Sequence, residues 1–246
     1  MSQLLPIGQA AKMLGVSIQT LRRWDQDGIL VAQQSQEGSH RYYEQNQLIE
    51  ISERGDLPLR KLAQSWAQDE TPWELLSPFY CRTIPHLELR LHRLEQQLAQ
   101  DEQIASIFQL ISSTSGEIGN NSFDHNIGNW PDIPGIFFGH DQVRKQVILA
   151  DRGQGVLATL KRVKPSLVNH AQALKTAFTE ILSARAPENR GNGLKYVRKI
   201  VRENTMHFQF QSGDALLIMK AHSDELHISQ TTRSIRGCLA ILTYTL

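Results

Sequence analysis

Apolar positions near the start of the chain recur at helical spacing. Ile7, Ala10, Ala11 and Leu14 form one stripe, and Gly15 follows as a stop signal. Ser17 offers an N-cap for a second short helix, whose expected inner face is Ile18, Leu21 and Trp24. After Gly28 the pattern turns extended, as a pair of segments around Glu37-Gly38. Pro58, Pro72, Pro78 and Pro85 then break the chain into short helical and irregular pieces. A long run without a breaker follows, with Leu87, Leu91, Leu94 and Leu98 on a helical repeat. Val147 to Ala150 is a continuous apolar run, which reads as a buried strand. Leu167, Ala171, Leu174, Phe178 and Ile181 make a further stripe, and Leu194, Val197, Ile200 and Val201 the inner face of another helix. The C-terminal "MHFQFQSGDALLIMK" and "CLAILTYTL" read as antiparallel strands joined by a turn at Ser212-Gly213-Asp214. Helices and strands in this order predict an α+β fold.

One stretch breaks the pattern. "EIGNNSFDHN", residues 117–126, lies in an expected helix yet carries Gly119, consecutive asparagines and few apolar residues. Glycine costs about 1 kcal/mol against alanine in a helix interior, and asparagine is also a poor helix former. A helix written this way is expected to present polar groups for a purpose.

Composition narrows the class. The 246 residues allow one or two domains, and 40% hydrophobic residues can build a core in each half. A net charge of +1 excludes a globally basic nucleic-acid binder but leaves room for a local binding face. Cys81 and Cys238 lie far apart without metal-ligand spacing, so neither a disulfide framework nor a zinc site is expected. With no signal peptide evident and no apolar run long enough to cross a bilayer, a cytoplasmic location without membrane attachment is expected.

Two short helices joined by a tight glycine-containing turn make a helix-turn-helix pattern. On the second helix Thr20, Arg22 and Arg23 are expected to project outward, where they would meet phosphate or base edges. "IGQAAKMLGVSIQTLRRWDQDGIL" followed by "EGSHRYY" resembles the N-terminal winged-helix domain of MerR-type regulators. The resemblance implies double-stranded DNA as a partner, contacted by Thr20, Arg22 and Arg23 on the helix and by His40, Arg41 and Tyr42 in the wing. Residues 1–65 hold seven basic and seven acidic side chains, so the electrostatic footprint usual for such a domain is absent from its bulk charge. The leucine-bearing helix in the connector, residues 66–103, has two readings. It self-associates, as the helix after the winged domain does in MerR-type proteins, or it packs within its own domain.

The second half holds three polar pieces in order. Glu117, Asn121 and His125 are spaced four residues apart and so share a helix face. The apolar run delivers Asp151 at its end, followed by Gly153 and Gly155. In "PENRGNGLKYVRKIV" Gly191 and Gly193 open a helix, where backbone amides approach phosphates closely. No Walker motif is present, and neither G-x-G reaches the third glycine of a dinucleotide fingerprint. Together the three pieces resemble the N, G1 and G2 boxes of the GHKL ATPases, over residues 104–246 as an α/β sandwich. The resemblance implies ATP and Mg²⁺ as cofactors, with Asn121 as the metal ligand and Glu117 as the catalytic group that orients or deprotonates water. It implies Asp151 as acceptor for the adenine amino group, Gly153 and Gly155 as room for the base, and Gly191, Gly193 and Leu194 around the phosphates. Arg185 and Arg190 flank the phosphate loop, His125 stays open between site and packing, and Cys238 stands after Gly237 where the family often carries threonine.

A transcriptional regulator with DNA binding coupled to ATP is expected, acting as a homodimer. The alternative is a GHKL ATPase or protein kinase acting on a partner protein, as in a toxin–antitoxin or defence pair, with the winged helix for docking.

Overall fold

The computed structural model describes residues 3–33, 40–52, 57–181 and 192–245. The expected wing turn at Glu37-Gly38, and Arg185, Arg190 and Gly191, lie outside the described residues. The N-terminal unit comprises strand β1 (Leu4–Pro6), helices α1 (Ile7–Leu14) and α2 (Ile18–Gln26), strand β2 (Tyr42–Glu44) and helix α3 (Gln45–Ser52). β1 and β2 pair antiparallel. Gly15 ends α1 in the left-handed conformation at φ 69°, and a side chain there would press on Leu62. The Ser17 hydroxyl accepts from the Thr20 amide at 3.0 Å, which is the expected N-cap of α2. Ile18 corrects the expected inner face: it is 43% exposed, while Leu21 is fully buried and Trp24 is half-buried.

Helix α4 (Leu59–Gln68) runs through residue 65, where the first unit was expected to end. Its buried stripe, Leu59, Leu62, Ala63, Trp66 and Ala67, follows the i, i+3, i+4, i+7, i+8 rule. Each fully buried leucine of such a stripe contributes about 1.5–3 kcal/mol. Strand β3 (Tyr80–Cys81) and helices α5 (Ile84–Leu98) and α6 (Phe108–Asn126) follow. Next come strands β4 (Ile136–Asp141) and β5 (Gln146–Asp151), helices α7 (Gly155–Lys161), α8 (His170–Thr179) and α9 (Gly193–Glu203), and strands β6 (Met206–Met219) and β7 (His227–Tyr244). The five C-terminal strands form one antiparallel sheet in the order β3-β4-β5-β7-β6.

Both faces of this sheet are covered, and strand alternation decides what each face meets. Val147, Leu149, Ala240 and Leu242 join a core with α5, α6, α8 and α9. Ile148, Ala150, Leu239 and Ile241 join a second core with α4 and the N-terminal unit. The N-terminal unit and the outer sheet face therefore share one hydrophobic core.

Two further expectations are corrected by packing, and one left open is decided. Ser212-Gly213-Asp214 is no turn: β6 runs straight through it, with register shifts against β7 and Gly213 at φ 58°. In the α8 stripe Ile181 is 75% exposed and Ala171 is exposed, while Ala173 is buried beside Leu174 and Phe178. The leucine stripe of α5 packs inside the chain, with Leu87, Leu94 and Leu98 buried, as the second of its two readings has it. A side chain at Gly119 would come within 2.6 Å of Leu87, and one at Gly116 within 3.4 Å of Leu91. Those glycines of α6 admit α5, and Gly119 also stands close to Ile136 of β4. No helix among the described residues is long and apolar enough to cross a membrane.

Candidate functional site

A cavity of about 590 Å³ opens between α6, α9, the end of β5 and the start of α7. That size falls within the range of small-molecule sites. Its lining includes Glu117, Asn121 and His125 of α6, Asp151, Gly155, and Gly193 and Leu194 of α9. The structure thus gathers most of the residues singled out in the second half of the chain, which are far apart in sequence.

Asp151 is buried at the strand end, on the α6 face shared with Val147 and Leu149. The Ser122 hydroxyl donates to its Oδ2 at 2.8 Å, and the Gly153 amide to its Oδ1 at 2.8 Å. Burial pushes its carboxyl up to about 6, and hydrogen bonds from Ser122, Gly153 and the Cys238 amide limit the rise. Gly237, at φ 72°, permits this arrangement, because a side chain there would collide with the Asp151 carbonyl and carboxyl. Cys238 lines the cavity beside it, and its thiol is pushed well above the ordinary range by burial and by Asp151.

The glycines divide into two kinds. A side chain at Gly193 would come within 2.5 Å of Glu117 Oε2 and 3.1 Å of Asn121 Nδ2, so α9 begins against both polar groups of α6. Gly155 has φ 75° and lies on the cavity wall. Gly153 is not on that wall; the space a side chain would need is filled by Asn126. Asn126 accepts from the Gln154 amide at 2.9 Å and donates to the Ser122 carbonyl at 2.7 Å, holding the loop after β5 against α6.

Sequence reasoning missed the Ser122 hydroxyl as a partner of Asp151, and it missed Asn126. Both stand one position beyond Asn121 and His125, on the adjoining strip of the same helix. It also missed Lys195, whose ammonium donates to the Glu180 carbonyl at 2.7 Å and is lowered from its ordinary range by burial. A lysine in the first turn of a helix opposes the dipole, and that was the available signal. The described lining residues carry four carboxylates, Glu117, Asp124, Asp151 and Glu180, against the one lysine. Among the described residues no group of three His, Cys, Asp or Glu is placed to hold a metal by itself.

On the N-terminal unit, Arg22 and Arg23 are exposed on α2, and His40 and Tyr42 are exposed near β2. The Thr20 hydroxyl lies 2.8 Å from that of Ser17, tying it to the cap. Arg41 donates from Nε to Asp25 at 2.7 Å, which fastens the segment before β2 to α2. Burial alone would raise the Asp25 carboxyl, but the Ala32 amide and Arg41 outweigh it and hold the group below the usual carboxylate range. Arg41 is thus partly committed to the fold, while Arg22 and Arg23 stand exposed on α2.

Residues 6–55 match the family model of the MerR family regulatory protein. This supports the helix-turn-helix reading of the N-terminal part and does not reach the C-terminal part. A second similarity is to the type II methyltransferase M.Eco47II of Escherichia coli, 48% identical over 42 residues, or 17% of this chain. The chain spans about a tenth of that relative's length.

Proposed function

We propose that the chain is a DNA-binding transcriptional regulator whose C-terminal part is a GHKL-type ATP·Mg²⁺-binding domain, so that DNA binding responds to nucleotide. The observation that carries the ATP reading is the buried Asp151, 2.8 Å from Ser122 of the polar helix and facing a cavity walled by Asn121 and Gly193. Asp151 would accept from the adenine amino group. Asn121 would hold Mg²⁺ together with phosphate oxygens, and the acidic lining supports a divalent cation accompanying the triphosphate. Lys195 and the amide end of α9 would face the phosphates. The DNA reading rests on the MerR match and on the exposed Arg22 and Arg23. A homodimer remains part of this reading, through a surface other than the leucine stripe of α5.

Calorimetry on Asp151→Asn tests the pocket. Loss of a charge-assisted hydrogen bond of about 1.5–3 kcal/mol is expected to weaken ATP binding roughly ten- to hundredfold. The parent should also lose affinity as pH falls through about 6, where its acceptor carboxylate becomes protonated, and the variant should lack that component. The unliganded protein carries the opposite trend. A carboxyl raised from 3.8 to about 6 by folding contributes stability below pH 3.8 that is lost as pH rises through 6. Equal ATP affinity in parent and variant would make Asp151 a structural group and end the ATP reading.

For the DNA reading, Arg23→Ala is expected to weaken duplex binding and to flatten the slope of log affinity against log salt by about one phosphate contact. An unchanged slope and affinity in a fluorescence titration would remove Arg23 from the interface.

A further inference from the structure

Asp151 and Arg152 are consecutive, and alternation sends their side chains to opposite faces of the sheet. Asp151 enters the cavity with α6, whereas Arg152 enters the second core with α4. Arg152 is wholly buried, which an arginine tolerates only when its donors are matched. Its Nη2 lies 2.7 Å and its Nε 3.1 Å from Asp132 Oδ2, a paired grip on the loop that leaves α6. Its Nη1 donates to the Trp66 carbonyl, and its guanidinium lies 5.8 Å from the centre of the Trp66 ring. Trp66 sits in the last turn of α4, where carbonyls lack helical partners and a cation is favoured by the dipole. From the same end of α4, Asp69 pairs with Lys12 of α1 at 2.6 Å, and Lys12 also lies over the Trp73 ring. A continuous set of contacts therefore runs from the cavity wall through one dipeptide to the first helix of the helix-turn-helix.

We propose that Arg152 is a positioning residue that couples occupancy of the Asp151 cavity to DNA binding, by holding the α6 exit loop and the last turn of α4 on one guanidinium. A ligand that moves Asp151 or the C-terminal end of α6 changes the seat of Arg152, and α4 carries that change to α1. This rests on the ATP and DNA readings above.

The test measures four affinities on the full chain: ATP·Mg²⁺ with and without a duplex selected by the parent protein from randomised DNA, and that duplex with and without ATP·Mg²⁺. In the parent, each ligand should change the affinity of the other by the same factor, about 5- to 150-fold. In Asp132→Asn and Arg152→Lys the factor should fall to within about twofold of unity, with each ligand still binding alone. That reciprocal factor is a readout that mere loss of stability would not remove. Should Arg152→Lys fail to fold, Asp132→Asn decides. Two ligands that bind the parent independently would overturn this inference together with the coupling proposed above, leaving ATP binding and DNA binding each standing. An undiminished factor in the variants would overturn this inference alone. A parent that binds no ATP, or selects no duplex, would overturn the reading concerned and this inference with it.

Discussion

On the proposed ATP reading, Glu117→Ala is expected to lower any ATP turnover by about 10²–10⁴-fold, the range for removal of a general base, while leaving ATP affinity within a few-fold of the parent. The expectation comes from placement. Glu117 stands one turn before Asn121 on α6, and α9 begins so close that no side chain fits at Gly193 between them. The carboxylate is half-buried on the cavity wall, where water has access and the reacting phosphate of the proposed ligand would lie. A group acting on water contributes to the transition state and little to the ground-state complex, so kcat should fall with binding preserved. Phosphate-release kinetics alongside calorimetry separate the two. A variant that keeps the parent's turnover would show that another group handles the water. A loss of affinity equal to the loss of rate would instead make Glu117 a binding residue.

Trp66→Ala is expected to destabilise the protein by about 3–5 kcal/mol, the range for deleting a large buried aromatic. Trp66 is fully buried on α4, between the N-terminal unit and the outer sheet face, and its indole donates to the Trp73 carbonyl at 3.0 Å. The substitution opens a cavity in the core that both halves share and removes the ring beside the Arg152 guanidinium. Because the halves share that core, the parent is expected to unfold in denaturant as one cooperative transition. The variant should unfold at lower denaturant, or in two steps as the halves separate. A cost below about 1 kcal/mol would mean that the site collapses onto itself, and that α4 does not bind the two halves together.

Much of the candidate site was legible because it depends on local rules. The spacing of Glu117, Asn121 and His125 places all three on one helix face, and all three line the cavity. The apolar run before Asp151 became the central strand β5, and the inner face of α9 buries Val197, Ile200 and Val201 as its spacing required. Ser17 capped α2 and Gly15 ended α1, each through an interaction with its immediate neighbours. Local rules misled where the deciding partner was distant. A triplet such as Ser212-Gly213-Asp214 suits a turn and a bulge equally, and the cross-strand partner in β7 chose the bulge. A leucine stripe such as that of α5 is equally suited to a second copy or to a neighbouring helix, and α6 supplied the neighbour by offering Gly116 and Gly119.

The sequence by itself thus determined the periods, caps and stops of individual elements, and the face on which each polar group stands, because these follow from backbone geometry over a few residues. Only the tertiary structure decided what meets those faces. Ser122 belongs to Asp151, Asn126 fills the space at Gly153, and Arg152 turns from the cavity to Asp132 and Trp66. Each of these pairs joins residues at least 20 positions apart, across elements brought together by burial of the two cores on either side of one sheet. No local period encodes such a meeting, since it depends on the packing of the whole chain.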